Sequence, residues 1–130
     1  MIAEIEFILY VKDQQKSTEF YSEILGLKPS LNVPGMTEFQ LSGNCKLGLM
    51  PESGIAKIIC PAAPDPANGN GIPRCELYLK VDDIEKRMTS ALNAGATLID
   101  QISERNWGDT AGYISDPDGH IIAFAKTTKH

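Results

Sequence analysis

Two glutamates occupy equivalent places in an internal repeat of this sequence. Glu6 opens the stretch 6–13 and Glu76 opens the stretch 76–83; each is an alternating apolar run that ends in aspartate. If two such carboxylates lie close together, they cannot both ionise freely, so the pKa of at least one should rise. A carboxylic acid with a raised pKa is suited to general acid–base chemistry. The structural alternative is that both side chains reach solvent or form ion pairs.

The same pair could instead ligate a metal ion. Carboxylates without imidazole favour hard ions such as Mg²⁺ or Mn²⁺ over Zn²⁺. The two histidines, His120 and His130, are poorly placed to complete a Ser-His-Asp or Cys-His set. The three cysteines show no CxxC spacing, which argues against a zinc site or a disulfide framework. We therefore expect no cofactor, and Mg²⁺ or Mn²⁺ on Glu6 and Glu76 is the alternative.

Aromatic residues accompany the two glutamates. Because side chains alternate along a strand, Tyr10 shares a strand face with Glu6, and Tyr78 shares one with Glu76. Aromatic rings beside acidic groups suit a flat or cationic organic ligand, through stacking and cation–π contacts. This combination predicts small-molecule binding.

The elements that carry these residues follow the same order in both halves. Asp13 and Asp83 fit the N-caps of two helices, since a carboxylate can accept hydrogen bonds from first-turn amides. Gly26 and Gly95 end these helices. Strand patterns follow at 37–42, 45–50 and 56–60 in the first half, and at 96–99, 112–115 and 120–126 in the second. Each half is therefore predicted to be a β-α-β-β-β module.

A stretch rich in proline and glycine separates the two modules. Residues 61–73 contain four prolines and two Asn-Gly steps, which oppose regular structure. We expect a single domain built of module 1–60, linker 61–73 and module 74–130. Residues 116–119, Asp-Pro-Asp-Gly, fit a type I turn in the second module.

Charge and hydropathy exclude several classes of partner. The formal net charge is −5 and the pI is about 4.9, which argues against nucleic acid and anionic membranes. No apolar run is long enough to cross a bilayer. The first residues lack the pattern of a signal peptide, so we expect a cytoplasmic protein.

The motifs resemble those of a known superfamily. Asp13 followed by Phe-Tyr at 20–21 and Leu-Gly-Leu at 25–27, then Trp-Gly-Asp at 107–109 and Asp-Pro-Asp-Gly-His at 116–120, is similar to the vicinal oxygen chelate superfamily. That group includes glyoxalase I, bleomycin-resistance proteins and extradiol dioxygenases. The resemblance implies an α+β fold in which two β-α-β-β-β modules form an open curved barrel around a cavity.

The resemblance also implies where a site should lie. Relatives that are enzymes hold a metal at the start of each repeated strand and in the last strand of each module. Here those positions are Glu6 and Glu76, then Gly48 and Ala123, and the last two have no donor atom. Alternation also allows Lys46 or Met50 in place of Gly48. The cavity should be lined from both modules by a wider set: Glu6, Ile8, Tyr10, Glu76, Tyr78, Lys80 and Ala123. Trp107 either helps to close the pocket or only packs. Phe7, Leu9, Leu77 and Leu79 should face the helices.

Two functions remain open from the sequence. The first is a bleomycin-resistance-like protein that binds a small organic molecule without the full metal site. The second is a metal-dependent lyase or isomerase, similar to lactoylglutathione lyase, or a dioxygenase that uses Glu6 and Glu76. The resemblance further implies a homodimer.

Overall fold

The computed structural model describes residues 1–129; His130 lies outside the described residues. By their internal contacts the residues group into two compact units, Met1–Asn70 and a second from Gly71 onward. The division falls inside the predicted linker 61–73. In both units the element order confirms the predicted α+β class and the β-α-β-β-β plan.

The first unit begins with strand β1 (Ile5–Val11) and helix α1 (Gln14–Leu25). Asp13 caps α1 as predicted, since its side chain accepts from the backbone N–H of Lys16. Gly26 ends the helix in the left-handed conformation, with φ of 66°, which a side chain with a Cβ rarely adopts. The unit continues with the following elements: β2 (Leu31–Val33), β3 (Met36–Ser42), β4 (Cys45–Pro51) and α2 (Glu52–Ile59).

The sheet of the first unit has the strand order β1-β4-β3-β2. The first and last strands, β1 and β4, pair in parallel, and the other pairs are antiparallel. Helix α1 packs on β3 and β4, where Phe39, Leu47 and Leu49 are fully buried. One face of this sheet is therefore covered by the helix, and the opposite face carries Glu6.

The second unit repeats this topology. Its elements are β5 (Glu76–Lys80), α3 (Ile84–Asn93), β6 (Thr97–Glu104), β7 (Asp109–Ser115) and β8 (Ile121–Thr127). The strand order is β5-β8-β7-β6, and β5 pairs with β8 in parallel. Asp83 caps α3 by accepting from the N–H of Lys86. The repeat seen in the sequence is thus a repeat of structure.

The turn at 116–119 is held by a buried carboxylate. Asp116 accepts hydrogen bonds from the backbone N–H groups of Asp118 and His120, and it pairs with the His120 ring at 2.8 Å. Gly119 has a φ of 93°. This turn has a structural role, and it aligns β7 with β8.

Two predicted features of the first half are wrong. Residues 56–60 were expected to form a strand, but they belong to α2, while the third strand of the module is the short β2. Linker 61–73 was expected to lack regular structure, but Pro66–Gly69 forms a 3-10 turn capped by Asp65. Proline is tolerated in a first helical turn, where its missing N–H has no partner to lose.

Burial of the first strands is lower than predicted. Phe7 was expected to face the helices but is 58% exposed, and Leu92 on α3 is also exposed. Leu9, Leu77 and Leu79 are half-buried. The cause is that β1 and β5 are sheet edges, while α1 packs on β3 and β4 and α3 packs on β6, β7 and β8. Phe20 and Ile24 on α1 and Met88 on α3 are buried.

Among residues 1–129, no helix has both the length and the apolar character needed to cross a membrane.

Candidate functional site

On the sheet face of the first unit that lies opposite helix α1, Glu6 lies beside the last strand of its module. Strand register places Glu6 opposite Lys46 and Ile8 opposite Gly48. On the other side of β4, Gly48 lies opposite Glu38 of β3. Alternation along the strands gives these residues one common face. The predicted site residues Glu6, Ile8 and Tyr10 therefore lie on one face of β1, as expected.

Gly48 leaves room for the Glu6 carboxylate. A Cβ built on Gly48 would lie 2.5 Å from Oε2 of Glu6, 3.1 Å from Cγ1 of Ile8 and 3.3 Å from Sδ of Met36. Any side chain at this position would displace the carboxylate or one of its neighbours. The carboxyl group of Glu6 thus occupies the space that a residue with a side chain would fill at position 48.

The environment of Glu6 favours its protonated form. Its Oε2 atom is buried and has no hydrogen-bond partner. Burial is the largest cause that raises the pKa of Glu6 to about 6, followed by a hydrogen bond between its carboxyl group and that of Glu38 and by the charge of Glu38, while Lys46 opposes this shift. The sequence predicted a raised pKa caused by Glu76, whereas burial and then Glu38 cause the shift within this unit.

Lys46 is only partly available to neutralise this cluster. Its Nζ lies 3.1 Å from a carboxylate oxygen of Glu4 and 3.9 Å from one of Glu38. Hydrogen bonding to Glu4 is the main cause that raises the pKa of Lys46. The ammonium group of Lys46 is bonded to the exposed Glu4. It therefore does not donate a hydrogen bond to Oε2 of Glu6.

The corresponding sheet face of the second unit carries a chain of five hydrogen-bonded side chains. The indole N–H of Trp107 donates to the Tyr78 hydroxyl at 2.9 Å, and that hydroxyl donates to Oδ2 of Asp109 at 2.6 Å. Lys80 Nζ donates to Oδ1 of Asp109 at 2.8 Å and to Oγ1 of Thr127 at 3.0 Å. Three predicted binding residues, Tyr78, Lys80 and Trp107, are therefore linked through Asp109.

Charge and burial set the protonation of this chain. The Lys80 ammonium, then the Tyr78 hydroxyl, hold the pKa of Asp109 below its usual value. Burial and the bond to Asp109 raise the pKa of Tyr78. At neutral pH Asp109 is therefore an ionised acceptor, and Tyr78 is a neutral donor.

A second aromatic residue lies across the same face. Ala123 pairs with Tyr78 on one side and with Tyr113 on the other, and it is fully buried. The guanidinium carbon of Arg105 lies 5.0 Å from the ring centroid of Tyr113, a cation–π contact. Burial, then the nearby charge of Glu76, raises the pKa of Tyr113. Glu76 itself is exposed.

Four neighbours of the site were missed from the sequence: Glu38, Arg105, Asp109 and Tyr113. Alternation within 36–42 predicts which sheet face Glu38 lies on. Only the strand register shows that Glu38 is the neighbour of Gly48. Asp109 and Tyr113 have the parity of the buried Ala111 on β7. The missing information was the extent of β7, which begins three residues before the predicted start at 112. That Glu6 and Glu76 line a common cavity stays a prediction.

Comparison with known proteins identifies the family. Residues 5–128 match the model of the glyoxalase-like domain. The chain belongs to this family. This membership confirms the superfamily that the motifs at 20–27 and 107–120 indicated.

Several known proteins are similar to this glyoxalase-like chain over nearly its whole length. YraH of Bacillus subtilis is 26% identical over 125 residues, which cover 94% of this chain and 96% of YraH. A glyoxalase-related enzyme from Fulvimarina pelagi has a TM-score of 0.81 at 22% identity, covering 97% of this chain and 89% of that one. TnmS3, an antibiotic binding protein from Streptomyces sp. CB03234, has a TM-score of 0.71 at 22% identity, covering 98% of each chain. At these identities the structural likenesses establish the fold.

Proposed function

We propose that this glyoxalase-like chain binds a small organic molecule that presents an N–H donor or a positive charge to Glu6. The observation that carries the proposal is the buried Oε2 of Glu6, which has no hydrogen-bond partner. An unpaired buried carboxylate oxygen is costly, and a ligand that supplies a donor removes this cost. The antibiotic-binding activity in the name of TnmS3 supports this class of function.

The neighbours of Glu6 narrow the chemistry of the ligand. Ile8 and Met36 border the space over Gly48, so apolar atoms of the ligand would contact them. Glu38 and Glu4 add negative charge, and Lys46 neutralises only part of it. An amine or amidine attached to an apolar or aromatic body fits these surroundings.

The residues present fit the metal of the superfamily poorly. Gly48 and Ala123 stand at two expected ligand positions and offer no donor atom. The Glu6 carboxylate lies over Gly48, next to the ammonium group of Lys46, which competes with a metal ion for the same charge. Within residues 1–129, three donors close enough to hold an ion occur together in the turn with Asp116, Asp118 and His120, where Asp116 already accepts from the turn amides. We therefore propose binding that does not require a metal.

Fluorescence titration with 9-aminoacridine, a planar aromatic cation, tests the proposal. Acridine, neutral at about pH 8, is the matched neutral probe. We expect the cation to bind more tightly than acridine, and Glu6→Gln to weaken its binding roughly tenfold to a hundredfold, the usual value of a charge-assisted hydrogen bond. Glu23→Gln, an exposed change of the same charge on α1, should leave binding unchanged. Equal affinity in wild type and Glu6→Gln would refute the role of Glu6.

A second candidate function rests on the pKa of Glu6. A carboxyl that titrates at about 6 can give or take a proton near neutral pH, as a lyase or isomerase requires. The assay is conversion of the methylglyoxal–glutathione hemithioacetal, with and without added Mg²⁺ or Mn²⁺. Turnover that rises as pH increases through about 6 and disappears in Glu6→Gln, but not in Glu23→Gln, would favour the enzyme over the binding protein.

A further inference from the structure

The hydrogen-bonded chain in the second unit ends in an exposed aromatic ring. Trp107 is 56% exposed, yet its indole N–H is bonded to Tyr78. With more than half of its surface in solvent, this ring on the loop before β7 is constrained less by packing than a buried side chain would be. The bond to Tyr78 is the polar contact that fixes its orientation.

Tyr78 is itself held by Asp109, which lies two strands away in the same sheet. Tyr78 lies on β5 and Asp109 on β7, with β8 between them, so their 2.6 Å bond crosses a span of roughly two strand spacings, about 9–10 Å. The residues of β8 and β7 beneath this span, Ala123, Ala125 and Ala111, are small and fully buried. The alanines allow the Tyr78 side chain to extend over the sheet as far as Asp109.

Asp109 has two acceptor oxygens and uses each for a different partner. Oδ2 accepts from Tyr78 and Oδ1 accepts from Lys80. The charged groups that face Asp109 are Lys80 on β5 and, in the preceding loop, Arg105, whose guanidinium is directed to Asp100 and the Ala111 carbonyl. Charge-assisted bonds of this kind are short and directional.

We propose that Asp109 is a positioning residue, which orients Tyr78 and through it Trp107 as a fixed aromatic wall on the second unit, against which the ring of a flat ligand can stack. All of these residues belong to the second unit, so this wall does not depend on Glu6. The orientation of Trp107 can be measured without any ligand. Ordering a wall before binding removes an entropy cost that a mobile side chain would add on binding.

Trp107 is the single tryptophan of the sequence, so emission excited at wavelengths that tyrosine does not absorb reports this residue alone. Emission wavelength and steady-state anisotropy would be compared in wild type, Asp109→Ala, Tyr78→Phe and the matched control Asp100→Asn. Asp100 also forms an ion pair, with Arg105 on the loop before β7, but it lies outside the chain of bonds. We expect a red shift and lower anisotropy in Asp109→Ala and Tyr78→Phe, and no change in the control.

The variant Lys80→Met distinguishes the positioning role of Asp109 from a general loss of structure. In wild type the Trp107 signal should change only in acid, where Asp109 takes up a proton, because its pKa is lowered mainly by Lys80. In Lys80→Met the same change should occur at higher pH, while the neutral spectrum stays like that of wild type. A residue with only a structural role would not move this midpoint. Circular dichroism would confirm that each variant is folded.

Binding of 9-aminoacridine to the Glu6→Gln variant, with and without Asp109→Ala, then tests the consequence for a ligand without involving Glu6. Freeing one aromatic side chain should weaken the binding of the probe roughly threefold to tenfold in the variant that carries Asp109→Ala. A Trp107 signal that is the same in wild type, Tyr78→Phe and Asp109→Ala overturns the inference, and so does a changed signal with unchanged probe affinity. If Glu6→Gln binds the probe as tightly as wild type while Trp107 shifts as expected, the proposed function alone fails and the orienting role of Asp109 is supported.

Discussion

Replacing Glu6 by Gln should stabilise the protein at neutral and alkaline pH. The change keeps the size of the side chain and removes its charge, so no clash with Gly48 arises. The pKa of Glu6 rises from 4.5 to about 6 on folding. An acid whose pKa is higher in the folded state binds its proton more tightly there, so the folded state loses stability as pH rises through this interval.

The magnitude follows from the size of the shift. A rise of about 1.5 pKa units corresponds to roughly 2 kcal/mol. Because the Glu6 side chain is only partly buried, solvent screening reduces this value, and we expect about 1–2 kcal/mol. For a chain of this length the gain corresponds to roughly 4–7 °C in Tm.

Urea denaturation at several pH values measures this effect. The free energy of unfolding of Glu6→Gln should exceed that of wild type above about pH 6, and the difference should vanish below about pH 4.5, where wild-type Glu6 is protonated. Glu23→Gln is the control, since this exposed residue should give a difference near zero at every pH. A Glu6→Gln variant that is less stable than wild type at about pH 8 would show that the carboxylate has a partner that stabilises its charge.

Further predictions concern single positions. Gly48→Ala should destabilise the fold by about 1–3 kcal/mol, because its Cβ would meet Oε2 of Glu6 at 2.5 Å, and adding Glu6→Ala should restore much of this loss in thermal denaturation. Asp116→Ala should cost about 2–3 kcal/mol, since it leaves two turn amides and the His120 ring without their acceptor; a loss below about 0.5 kcal/mol in urea denaturation would contradict this. Asp13→Ala should cost about 1 kcal/mol through the lost N-cap, and Asp13→Asn, which keeps an acceptor, should cost less.

The sequence predicts the architecture well because local signals repeat. Asp13 and Asp83 mark two helix starts, and the apolar alternation in 6–11 and 76–81 marks two strands in equivalent places. Those signals depend on backbone geometry and burial, which are encoded locally. The error at 56–60 arose because a short apolar run fits a buried strand as well as a helix. Only the contacts of α2 with β4 and β1 decide between them.

The candidate site is harder to predict because its partners come from distant strands. Parity alone places Glu6 and Ile8 together, but it leaves Lys46, Gly48 and Met50 as equivalent facing positions. The structure places the Glu6 carboxylate over Gly48. Parity cannot identify Glu38 or Asp109 as partners, since register and side-chain length determine which groups touch. The raised pKa of Glu6 was expected from repulsion by Glu76, whereas its largest cause is burial, followed by the Glu38 carboxyl.

The parallel pairing of first and last strands makes the site depend on the completion of each module. Glu6 pairs with Lys46, about 40 residues later, and closing a loop of that length costs roughly 3 kcal/mol of chain entropy. This closure also brings Gly48 beneath the Glu6 carboxylate. During synthesis, a nascent chain that ends before β4 would therefore leave Glu6 in water as an ordinary acid. Burial of its charge would begin only when the last strand of the module joins the sheet.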